Sequence, residues 1–122
     1  MKTISVPISV IVGGGICVSA SDGHKVFDVI RQHIVNGNRA ALSFSGVTRM
    51  TTAFLNAAVG QLYGDFDEQK IRQHLAPPED AEDWHLVRLK IVVDRAKIYF
   101  NDNNSIDSIF SSITGQVNDK NS

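Results

Sequence analysis

The fold class this sequence predicts is α/β: a small mixed β-sheet with packed helices and a long C-terminal helix. Three observations predict it. Apolar residues alternate with polar ones near the N-terminus and again from Ala40 to Phe44, helical stripes follow these runs, and Gly or Asn residues stand at the joints. A length of 122 residues, 43% of them hydrophobic, suffices for one core. One domain is therefore expected over residues 1–115, followed by a polar, disordered tail over 116–122.

Ile4, Val6, Ile8, Val10 and Val12 recur at every second position, so a strand with one buried face is expected over Ile4–Val12. Pro7 donates no ladder hydrogen bond, which places that strand at an edge or gives it a bulge. Gly13, Gly14 and Gly15 then permit a hairpin into a second strand around Ile16–Ser19. Ser21 or Asp22 caps the next helix, Val26, Phe27, Ile30 and Ile34 form its apolar stripe, and Asn36-Gly37 stops it. In the strand that follows, Ala40, Leu42 and Phe44 alternate with small residues, as when the second face is closely covered too.

Thr51 or Thr52 caps a helix whose stripe is Phe54, Leu55, Ala58, Val59 and Leu62, with Gly64 past its end. Asp65 and Glu68 make a capping-box pattern for either a short helix or a helix that runs into a last strand. Beyond Pro77-Pro78, acidic residues 79–83 mark the start of the longest helix, about 20 residues and ~30 Å long. Its core stripe is Leu86, Leu89, Val93, Ala96 and Phe100, and Asn101–Asn104 is expected to end it. Trp84, Val87, Ile91 and Ile98 widen that stripe and are surplus to one core, which makes them candidates for an interface with a second copy or a larger partner. Ile106, Ile109, Phe110 and Ile113 suggest one more short amphipathic helix.

A net charge of -1 offers no surplus of cations for a phosphate backbone or an anionic bilayer, so neither nucleic acid nor membrane is an expected partner. The N-terminal apolar residues alternate instead of forming the continuous apolar run of a signal peptide. The one cysteine, Cys17, lies in an apolar triplet and fits a small buried side chain in a reducing cytoplasm.

No catalytic, metal or cofactor site is expected. A dinucleotide fingerprint after the glycine triplet needs Gly at position 18, where the chain has Val18. His24, His33, His74 and His85 are scattered, lack metal-ligand spacing, and are read as solvated or half-buried helix residues.

The stretch "LSFSGVTRMTTAFLNAAVGQLY" carries more information. It resembles the strand, turn and helix of STAS domains, the bacterial anti-sigma-factor antagonist fold, and is closer to the STAS-like family of unknown function, with a weaker likeness over about 110 residues. That resemblance implies a non-enzymatic regulatory module that binds a protein, a histidine-kinase-like ATPase or a larger effector, in partner switching. Laid on this sequence, the antagonists' Asp-Ser-Ser-Gly motif falls at Thr51, Thr52, Ala53 and Phe54, which implies Thr52, with Thr51 beside it, as the phospho-acceptor. Ser43 and Thr51 stand where the antagonists have aspartate. Thr48, Arg49, Met50, Thr51, Thr52 and Phe54 become the implied partner-binding surface. The open alternative is a structural or antitoxin-like subunit that self-associates, or binds a larger partner, through the 84–100 helix.

Overall fold

A computed structural model describes the backbone of residues 1–114 and the side chains of residues 1–101. Its strands are short and pair in parallel. Strand β1 (Thr3–Pro7) runs beside β3 (Arg39–Ser43) with Val6 opposite Leu42, and β2 (Ile16–Cys17) runs beside β4 (Arg49–Met50) with Cys17 opposite Met50. The expected hairpin is absent among the described residues, and two small parallel ladders replace one mixed sheet.

The N-terminal strand stops at Pro7, and residues Ile8–Val12 form helix α1 instead of its continuation. The ladder explains why. Pro7 pairs with Ser43, the last residue of β3, so nothing remains for Ile8 onward to bond. Ile8, Ile11 and Val12 also have helical spacing and face the core, whereas Val10, in phase for a strand, is 75% exposed. Gly13 closes α1 in the left-handed region at φ 95, its N–H donating to Ser9 O.

Helix α2 (Ala20–Val35) is capped by Ser19, not by Ser21 or Asp22: the Ser19 hydroxyl accepts from the Asp22 N–H at 3.1 Å. It ends at Asn36 with Gly37 at φ 79, as its sequence requires. Strand β3 is covered on both faces, Ala40 to Ser43 all being buried. Its edge away from β1 is taken by the segment after His74, where Ala76 N–H donates to Ala40 O, Glu79 N–H to Leu42 O, and Phe44 N–H to Glu79 O. That segment is the last strand-like pairing, parallel and made of isolated bridges.

Helix α3 (Thr52–Leu55) widens into a π-helical turn at Asn56–Gly60 and resumes as α4 (Leu62–Asp65). Gly64 therefore lies within the last turn. Phe54, Leu55, Ala58, Val59 and Leu62 are all buried, so the stripe survives the interruption. Helix α5 (Glu68–His74) is capped by Asp67, whose carboxylate accepts from the Lys70 N–H at 2.7 Å, and not by Asp65.

Helix α6 (Asp83–Thr114) passes through Asn101–Asn104 without a break. Asn and Asp cost a helix only about 0.7 kcal/mol each relative to Ala, and no Gly or Pro intervenes before Gly115. Its buried line is His85, Val92 and Ala96, with Trp84, Leu89 and Val93 packed alongside; Leu86 is exposed. Val87, Ile91 and Ile98, spaced four and seven apart, share the opposite, exposed face. The sequence expectation for 116–122 lies outside the described residues.

Candidate functional site

The segment from Gly46 to Thr52 is held by its backbone to the loop before β2. Thr48 N–H and Arg49 N–H both donate to Gly15 O, and Thr51 N–H donates to Cys17 O. Gly15 has no room for a side chain, since a Cβ there would lie 2.3 Å from Gly46 O. Along β4 the alternation sends Met50 into the core and leaves Arg49 in solvent.

Thr51 is the helix cap. Its hydroxyl accepts from Phe54 N–H at 3.1 Å and donates to Val18 O at 2.9 Å, so both of its roles are used. Thr52, the next residue, is exposed beside Asn56 and Arg95. Among the residues expected at a partner surface, Phe54 and Met50 do not reach it. Phe54 is fully buried and Met50 nearly so, because α3 packs its first apolar residue against α2 and β4 points Met50 inward.

The opposite wall comes from the first turns of α6, and His85 sets its position. This residue is 1% exposed, contrary to the expectation of a solvated or half-buried histidine. Its Nδ1 accepts from Glu82 N–H and its Nε2–H donates to Val47 O, both at 2.9 Å. The imidazole stacks on Phe44, at 4.9 Å between ring centres, and packs tilted against Trp84, at 4.0 Å. His74 is buried as well, its Nδ1 bonding to Lys70 O within its own helix.

Trp84, so oriented, carries the Arg88 guanidinium 5.2 Å from its ring centre, and Arg88 also donates to Met50 O. The result is a cleft of about 440 Å³ lined by Val18, Thr48, Arg49, Met50, Thr51, Trp84 and Arg88. It brings together the Thr48–Thr51 segment and Trp84, which the sequence suggested separately. Val87, Ile91 and Ile98 do not line it, and form the neighbouring exposed strip of α6.

Two further hollows follow along the seam between α6 and the α3–α4 run. One, of about 300 Å³, is lined by Thr52, Ala53, Asn56, Val92 and Arg95. The next, of about 420 Å³, shares Asn56 and Arg95 and ends at Tyr99 and Phe100. Among the described residues no Asp or Glu lines any of the three. Arg88 and Arg95 went unnoticed in the sequence, although Trp84, Arg88, Arg95 and Tyr99, spaced four, seven and four, lie on one helical face and could have marked it.

Behind the cleft, burial and then the Asp22 carboxylate push the Cys17 thiol above its ordinary pKa, as suits a packed, unreactive side chain. Among the described residues no group of His, Cys, Asp or Glu is arranged to hold a metal ion, and no helix is long and apolar enough to cross a membrane.

Parallel strands, packed helices, and a capped helix start beside an open cleft make an α/β architecture consistent with a STAS-like domain. Residues 22–81 match the model of a family described as STAS-like domain of unknown function (DUF4325). Comparisons with curated proteins and with solved structures gave no match.

Proposed function

We propose that this domain is a non-enzymatic regulatory module whose work is to bind another protein, as a partner-switching component of cytoplasmic signalling. The observation that carries this reading is the cleft itself. It joins the Thr48–Thr51 segment to Trp84 and Arg88 in a cavity of small-ligand size, with exposed Thr52 at its end, and the chemistry around it is recognition chemistry: cations, hydroxyls and an aromatic face. The partner expected from the STAS likeness is a histidine-kinase-like ATPase or a larger effector.

Thr52 is the proposed control point. A phosphate there adds about -1.5 to -2 charge to a surface that the partner must cover, and desolvating it opposes docking. Affinity capture from the native host with wild type and Thr52→Glu, followed by mass spectrometry, tests the reading. A partner retained by wild type and lost by Thr52→Glu supports it; equal capture by both removes Thr52 from the role.

A second reading, self-association or docking through α6, is favoured by the exposed face of Val87, Ile91 and Ile98. Solution mass by light scattering, with Ile91→Glu as the variant, decides it. A mass of 13.4 kDa for wild type rules out a stable oligomer.

A further inference from the structure

We infer that the seam along α6 is a docking groove for an extended acidic segment of the partner protein. The inference rests on the protein-binding reading above and adds the chemistry of what is bound. Three hollows run in line from Trp84 to Phe100, and among the described residues their walls hold Arg49, Arg88 and Arg95 without one carboxylate. On a chain with a net charge of -1, that is a local reversal of sign.

The arginines are available for a ligand. Every ion pair among the described residues uses other cations, namely Lys25, Arg31, Arg72, Lys90 and Lys97. Arg88 is the one of the three already positioned, by Met50 O and the Trp84 face, which leaves the rest of its fork for an incoming oxyanion. Between the cations stand neutral donors, Thr52, Asn56 and Gln61, suited to a peptide backbone.

The dimensions fit an extended chain. From Trp84 to Phe100 the helix rises about 24 Å at the standard rise, which about seven residues of extended peptide span. Arg88 and Arg95, two helical turns apart, then meet acids about three residues apart in such a peptide. The inference also explains why the control residue would be Thr52. It lies beside Arg95 in the middle hollow, so a negative group there would occupy the same cation that an acidic ligand needs.

The test uses the full chain and a dye-labelled heptapeptide with Asp at its first, fourth and seventh positions and Ala elsewhere, read by anisotropy and by emission from Trp84, the only tryptophan. Controls are the Asn-for-Asp peptide, a phosphoserine-for-Asp peptide, and single-stranded oligothymidine. Expected are saturable binding of the Asp peptide with a change in Trp84 emission, weakening as salt rises, and little binding of the Asn peptide. Arg49→Gln and Arg95→Gln, neither of which breaks a hydrogen bond seen here, should each weaken the Asp peptide by about threefold to tenfold. Thr52→Glu should weaken it similarly, and Lys25→Gln, on α2, should not.

Tighter binding of the phosphoserine peptide, lost in the same arginine variants, would keep the groove and name phosphorylated segments as its preferred occupants. Equal binding of the Asn peptide, arginine variants indistinguishable from wild type, or oligothymidine displacing the Asp peptide would each overturn the inference. Capture of a host partner that Arg49→Gln and Arg95→Gln leave intact, while Thr52→Glu abolishes it, would overturn the acidic groove and spare the protein-binding reading.

Discussion

The Nε2–H of His85 donates to the carbonyl of Val47 across 2.9 Å, and through this contact the long helix holds the segment that carries Thr48, Arg49 and Thr51. Because Nδ1 of the same ring accepts from Glu82 N–H, one side chain fixes both the start of α6 and the loop before β4. His85→Phe keeps a ring for the stack and strands both partners. We expect a loss of about 2–4 kcal/mol from two orphaned backbone groups, measured by urea unfolding. A loss below about 1 kcal/mol would mean that water replaces both bonds.

The paired threonines should separate cleanly. Thr51→Val removes a cap and a second hydrogen bond, for an expected cost of about 1–2 kcal/mol. Thr52→Glu or Thr52→Val, at an exposed position, should stay within about 0.5 kcal/mol of wild type. Thermal unfolding of the three variants side by side checks this, and the opposite ranking would move the cap to Thr52.

Gly23 sits in the interior of α2, where alanine propensity alone would favour substitution by about 1 kcal/mol. Packing decides otherwise. A Cβ there would stand 2.4 Å from Phe54 O and 2.8 Å from the Ala57 Cβ, and a backbone oxygen cannot rotate away. Gly23→Ala should therefore destabilise by a net of about 1–3 kcal/mol, with α2 pushed off the α3 segment. A stabilised variant in denaturant titration would show that the two helices separate easily.

Alkaline pH should weaken the fold through two groups. Burial first, then Asp22, raise the Cys17 thiol; burial, Glu68 and Asp94 raise Tyr63 against an opposing effect of Arg72. Each group keeps its proton longer when folded, so its contribution is complete below the unfolded-state pKa and is lost as pH rises through the folded value. Melting temperature should fall above the ordinary thiol range, and the fall should be shallower in Tyr63→Phe. At neutral pH Cys17 should react with a thiol reagent only after denaturant is added.

What could be read in the sequence was what local pattern and burial jointly determine. Strand β3 was legible because both faces are packed, and Thr51 because a cap needs only its own hydroxyl and the N–H three residues on. Residues 8–12 misled because Ile8 and Val12 satisfy both periods; the end of β3, far away in sequence, decides between them. Strands of two residues, such as β2 and β4, leave no period to detect. The cleft was half legible: Thr48, Arg49 and Thr51 stood out as a run, whereas Arg88 and Arg95 acquire meaning only once α6 lies against α3. A lone His85 looked like any other helix histidine until Phe44 and Val47 arrived around it.

Strand β1, with β3 on one side and no strand on the other among the described residues, is where another chain would add by backbone pairing. It offers little purchase. It has five residues, and Pro7 at its end lacks the N–H that an incoming strand would need. The interior strand β3 is sealed on its other edge by the chain from Ala76 to Glu79. Growth of this protein into sheet-built fibres is thus disfavoured by its own architecture, and whatever larger assemblies it enters are best built through side chains on its helices.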